Sequence, residues 1–102
     1  MSKSMKIMVV DDEQIIRASL ADELKDAGHQ VEAFDNAVSA LETLQTQKFD
    51  LIISDIKMPD MDGLEFLDHI KDLRPDAHVL MMTAYGSIET AVDAMKKGAY
   101  DY

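Results

Sequence analysis

The sequence predicts an α/β fold: a parallel sheet covered by helices on both faces. Three observations carry this. Short apolar runs such as Ile7-Met8-Val9-Val10 and Leu51-Ile52-Ile53 suit strands buried on both faces. Segments of helical period alternate with them. The connections between these segments are short, so strand, helix, strand, helix in succession folds as right-handed βαβ units.

The elements follow in order. Met5–Val10 is the first strand. From Gln14 the period changes, with Ile16, Leu20, Leu24 and Ala27 at helical spacing and Gly28 placed to end the helix. Gln30–Phe34 is the second strand. Ala37, Leu41 and Leu44 mark the second helix, with Asp35 or Asn36 as its N-cap. Asp50–Ser54 is the third strand, and the turn-rich KMPDMDG follows it. Asp62 then caps a helix burying Leu64, Leu67 and Ile70, with Glu65 at the capping-box position and Pro75 beyond its end. His78–Thr83 is the fourth strand. Ser87 caps a fourth helix through Ile88, Ala91, Val92 and Met95, which closes on Lys96-Lys97-Gly98. Ala99–Tyr102 begins a fifth strand.

At 102 residues the chain is one domain. Its formal net charge of −10 lacks the basic stripe that a nucleic-acid surface needs. With no Cys, disulfides and thiolate chemistry are excluded. The start, MSKSMK, has no signal-peptide core, and no apolar run approaches the ~18 residues of a membrane span. A soluble cytoplasmic protein is expected, without membrane or direct nucleic-acid contact.

In parallel α/β sheets, function gathers beyond the carboxyl ends of the strands. Three such ends carry polar groups: Asp11-Asp12 after the first strand, Asp55 after the third, and Thr83 after the fourth. Carboxylates ~4 Å apart repel by roughly 4 kcal/mol at an effective dielectric near 20. A hard divalent cation relieves this, and Mg²⁺ is commonly held by one or two carboxylates plus a phosphate. The simpler reading is that Asp12 or Glu13 only caps the helix from Gln14. Agreement of three strand ends favours a metal and phosphoryl site. Asp55 is then the candidate nucleophile, able to form an acyl phosphate, with Thr83 as a hydrogen-bond donor to a phosphoryl oxygen. His29, His69 and His78 have no metal-ligand spacing and are expected to be structural.

Four motifs, in order and at these spacings, give a specific resemblance: VVDDE, DLIISDIKMPDMDG, LMMTAYG and KKGAYDY. From Lys6 onward the chain resembles the receiver domain of two-component response regulators, most closely the nitrogen-regulator (NtrC) class. The resemblance implies a flavodoxin-like (CheY-like), doubly wound parallel sheet of order 2-1-3-4-5. It implies that Asp55 accepts a phosphoryl group from a sensor histidine kinase. Mg²⁺ (or Mn²⁺) would be held by Asp12, Asp55 and the backbone carbonyl of Lys57, with Asp11 acting through water. Thr83 and Tyr102 would switch together, and Ala84 would leave access to the phosphoryl group. The implied role is that of a signalling module, not an enzyme, controlling an output domain for transcription.

The sequence ends before the family's next Lys, its Pro and its fifth helix. The chain is expected to be a truncated receiver, part of a longer parent, or covered by a partner through dimerisation or swapping. Apolar surface on strands one and five is expected to be exposed, and phosphorylation to be slowed. A phosphohydrolase of Asp-nucleophile type is disfavoured by D-D-E in place of D-x-D after the first strand, and by the lack of room for a cap. A receiver that has lost phosphorylation would lack one of the acids, and Asp11, Asp12 and Asp55 are all present.

Overall fold

The computed structural model describes residues 4–55 and 58–82. Four strands, β1 (Lys6–Val10), β2 (Gln30–Phe34), β3 (Leu51–Asp55) and β4 (Val79–Met82), alternate with α1 (Gln14–Asp26), α2 (Ala37–Leu44) and α3 (Gly63–Leu73). All strand pairs are parallel, in the order β2-β1-β3-β4. This is the expected doubly wound order as far as β4. The fourth helix and fifth strand of the sequence reading lie outside the described residues.

Each face of the sheet has its own cover. Met8, Val10, Ile52, Val79 and Met81 pack under α2 and α3 against Leu44, Phe66, Leu67 and Ile70. Ile7, Val9 and Ile53 face the other way, toward Leu20 and Leu24 of α1. Four successive β1 residues, Ile7–Val10, are 0 % exposed, as a central strand covered on both faces requires. The expected exposure of apolar surface on β1 is therefore not found. Among the described residues the large exposed apolar side chains lie instead on the helices: Ile15 (84 %) and Ile16 on α1, Val38 on α2 and Leu73 on α3.

Local chemistry sets the boundaries. α1 ends in a Schellman arrangement: Gly28 N–H donates to Lys25 O (2.9 Å), and His29 N–H to Leu24 O (3.1 Å). Gly28 has a φ of +98°, which a residue lacking Cβ adopts without strain. Asn36 caps α2 by accepting from Ser39 N–H at 2.8 Å. Asp60, beyond β3, accepts from the preceding two amides of that turn, Ala37 (3.3 Å) and Val38 (3.0 Å). Asp62 caps α3 through Leu64 N–H (2.8 Å). Glu65 sits in that first turn, where its charge suits the helix dipole, but the reciprocal bond of a capping box is not formed. The third strand runs one residue later than expected, so Asp55 is its last residue.

The amino ends of β1 and β3 are clasped together. Asp50 N–H donates to Lys6 O, and Lys6 N–H to Asp50 Oδ2, both at 2.8 Å. This fixes the register that pairs Val10 with Ser54. The residues that follow, Asp11 and Asp55, leave that register side by side.

Candidate metal centre

Asp11, Asp12 and Asp55 each offer a carboxylate oxygen, and these atoms lie within 4.8 Å of one another. Asp11 is 3 % exposed, Asp12 is exposed and Asp55 is half-buried. The backbone of Asp11 is held by β2, because its N–H donates to Phe34 O at 3.1 Å. Its Oδ1 accepts from Glu13 N–H at 2.9 Å, which folds the chain back toward α1. Glu13 takes the N-cap position of α1 but makes no side-chain capping bond. The acids after β1 are thus not explained as caps of that helix.

Burial pushes the Asp11 carboxyl up from its usual range, and the charges of Asp55 and Asp12 add to this. The Glu13 N–H and the Arg17 guanidinium pull the other way without reversing it. Arg17 also donates from Nη1 to Asp11 O at 2.8 Å. The sequence reading did not single out Arg17. Its signal was position: one turn into the helix that follows the acidic strand end.

Three hard oxygen donors with mutually unfavourable charges fit a divalent cation of the Mg²⁺ or Ca²⁺ type, with one carboxylate reaching through water. Lys57, Thr83, Ala84 and Tyr102 lie outside the described residues. His29 has a structural part, its Nδ1 accepting from Met5 N–H at 3.1 Å. A cavity of about 300 Å³ lies at the opposite, amino-terminal end of β3 and β4, lined by Phe49, Ile52, Arg74 and His78, and it lacks the acid trio. Among the described residues no helix is long and apolar enough to cross a membrane.

Comparison with known proteins agrees with this arrangement. The family model described as the response regulator receiver domain matches residues 7–102. The chain is 44% identical over 97 residues to the response regulator protein FleR of Pseudomonas aeruginosa, covering 95% of this chain and 20% of FleR. It is 42% identical over 96 residues to the DNA-binding transcriptional regulator NtrC of Escherichia coli, covering 94% of this chain and 20% of NtrC. The chain thus spans about a fifth of the length of these curated relatives. Among solved structures, the beryllofluoride-activated NtrC4 receiver domain dimer superposes with a TM-score of 0.90 at 40% identity, covering 94% of this chain and 79% of that one. A Burkholderia pseudomallei response regulator containing a phosphorylated aspartic acid, a calcium ion and citrate gives 0.89 at 36% identity, covering 95% of this chain and 57% of that one. Sheet order, acid trio and sequence similarity along nearly the whole chain agree: this chain belongs to the response regulator receiver domain family.

Proposed function

We propose that Asp55 is the phosphoacceptor of a two-component phosphorelay, and that Asp11, Asp12 and Asp55 recruit the Mg²⁺ on which the transfer depends. The observation that carries this is the meeting of the three carboxylates at the carboxyl ends of β1 and β3. The phosphorylated aspartic acid and calcium ion of the Burkholderia relative support it. An Asp55 carboxylate oxygen attacks the phosphorus of a kinase phosphohistidine. The new O–P bond forms as the P–N bond breaks, and the electron pair stays on the imidazole. Bound Mg²⁺ supplies neutralisation of charge on the transferring group.

Asp12 and Asp55 would hold the cation with their carboxylates, and Asp11, nearly buried, would reach it through water. The resemblance assigns a third protein ligand to the Lys57 carbonyl, access to Ala84, and the phosphoryl-dependent switch to Thr83 and Tyr102. The chain is a signalling module acting in the cytoplasm. Its partners are a sensor histidine kinase and an output domain in a longer protein. Transcriptional control is the output suggested by the similarity to NtrC. A second copy is a further partner, on the precedent of the NtrC4 receiver dimer.

The test is intact-protein mass after incubation with acetyl phosphate, in Mg²⁺ and in excess chelator. One phosphoryl group with Mg²⁺ and none with chelator is the expected result. Continuous turnover of small phosphate esters without a labelled protein would favour a phosphohydrolase instead.

A further inference from the structure

We propose that Asp60 is a positioning residue for this site: it ties the segment from Met58 to Asp62 to the amino end of α2, and thereby helps hold the strand ends in the arrangement that takes up the cation. The inference rests on the metal site proposed above.

The geometry forms a closed circuit. Asp11 N–H is held by Phe34 O, at the end of β2. Three residues later α2 begins, and its first two amides, Ala37 and Val38, donate to the Asp60 carboxylate at 3.3 and 3.0 Å. Asp60 lies five residues beyond Asp55, the partner of Asp11 in the acid trio. The two strand ends carrying the trio are therefore joined twice, once by the β1–β3 ladder and once through α2 and Asp60. The segment has further fixed points, since Met58 and Met61 pack against the core and Asp62 caps α3.

A tie of this kind does not arise from helix capping alone. Asn36 already serves the third amide of the turn from within the local chain, whereas Asp60 reaches across 22 and 23 residues. Burial pushes the Asp60 carboxyl up, but the N–H groups of Val38, Ala37, Asp60 and Met61 outweigh it and hold the group below its usual range. It is therefore charged at neutral pH, and a charged acceptor makes the stronger hydrogen bond. Restraining a loop in its binding form lowers the entropy lost on binding.

Mg²⁺ titration calorimetry on wild type, Asp60→Ala, Asp60→Asn and Asn36→Ala tests this. Asp60→Ala should weaken Mg²⁺ binding roughly tenfold, the low end for a contact that supports a metal ligand. Asp60→Asn, which keeps one acceptor oxygen where the carboxylate uses both, should restore part of the affinity. Asn36→Ala should weaken the affinity less than Asp60→Ala, since it removes the bond to Ser39 N–H and leaves both bonds to Asp60 in place. By amide exchange, Mg²⁺ should slow Ala37 and Val38 in wild type but not in Asp60→Ala, with Ser39 as internal reference. Wild-type affinity in Asp60→Ala would overturn the proposal, as would Ala37 and Val38 amides whose exchange in wild type does not respond to Mg²⁺. If the wild-type chain bound no Mg²⁺, the metal site itself would fall, and the positioning role with it.

Discussion

Asp55→Asn is expected to take up no phosphoryl group from acetyl phosphate in Mg²⁺, where the wild-type chain takes up one. Asparagine keeps the shape of the side chain at the end of β3 and loses the nucleophilic carboxylate, so the effect is on chemistry rather than folding. The other two acids are poor substitutes as acceptors. Asp11 is 3 % exposed and its Oδ1 is engaged by Glu13 N–H. Asp12 is exposed, but its proposed part is to hold the cation. The same variant removes one negative charge from a trio whose oxygens lie within 4.8 Å of one another, so it should bind Mg²⁺ more weakly. Intact mass reads the first effect and calorimetry the second. A labelled Asp55→Asn chain would place the phosphoryl group elsewhere and remove Asp55 from its assigned role.

Asp11→Asn should separate folding stability from ion binding. Two carboxylate charges within 4.8 Å of each other repel by roughly 3 kcal/mol or more at an effective dielectric of about 20. Asparagine relieves that repulsion and can still accept from Glu13 N–H. Without metal at neutral pH, the variant should therefore be more stable than wild type, by about 1–3 kcal/mol once solvent and relaxation reduce the Coulomb figure. The sign with pH follows from linkage. Burial, then the charges of Asp55 and Asp12, raise the folded-state pKa of Asp11 above its ordinary 3.8. The stability that Asp11 contributes is thus fully present below its unfolded pKa and is lost as pH rises through the folded one. The gap between variant and wild type should open over that rise. Mg²⁺ should narrow it, since ligand at ~100 times its Kd stabilises by about 2.7 kcal/mol and the variant binds less tightly. Urea denaturation across pH, with and without Mg²⁺, measures all of this. A metal-free Asp11→Asn chain no more stable than wild type at pH 7 would refute the account.

What the sequence made legible was mostly what depends on neighbours along the chain. Gln30–Phe34 is a strand with the expected bounds, and Gly28 and Asn36 end and begin their helices as expected. The acid trio was legible because parallel topology puts strand ends together, so position along each strand was enough to bring Asp11, Asp12 and Asp55 to one place. Contacts between distant segments were not legible. Nothing local marks Asp60 as the acceptor for α2, because the loop holding it and the helix needing it meet only after β3 pairs with β1. Phe66, the largest of the fully buried side chains, was missed because the helix was read from its leucines and isoleucine. Glu65 had the right spacing for a capping box, but Asp62 engaged Leu64 N–H instead. The extent of burial at Asp11 also lay beyond the pattern, since a carboxylate one residue past a strand can face either solvent or core.

The double pairing of β1 has a consequence for how the metal-free domain comes apart. Charge repulsion within the trio acts across the β1–β3 seam and not across β1–β2, where Lys6 and Glu32 form an ion pair at 3.9 Å. Partial openings of a native protein follow its weakest cooperative boundary. The repulsion within the trio loads one such boundary, between β1 and β3. The Asp50 clasp on Lys6 holds its amino end shut, so separation begins at the acids. Amides bonded between β1 and β3 should then exchange faster than those between β1 and β2 when Mg²⁺ is absent, and the two sets should converge when it is bound. The proposed cation would in this sense fasten β1 to β3 at their carboxyl ends.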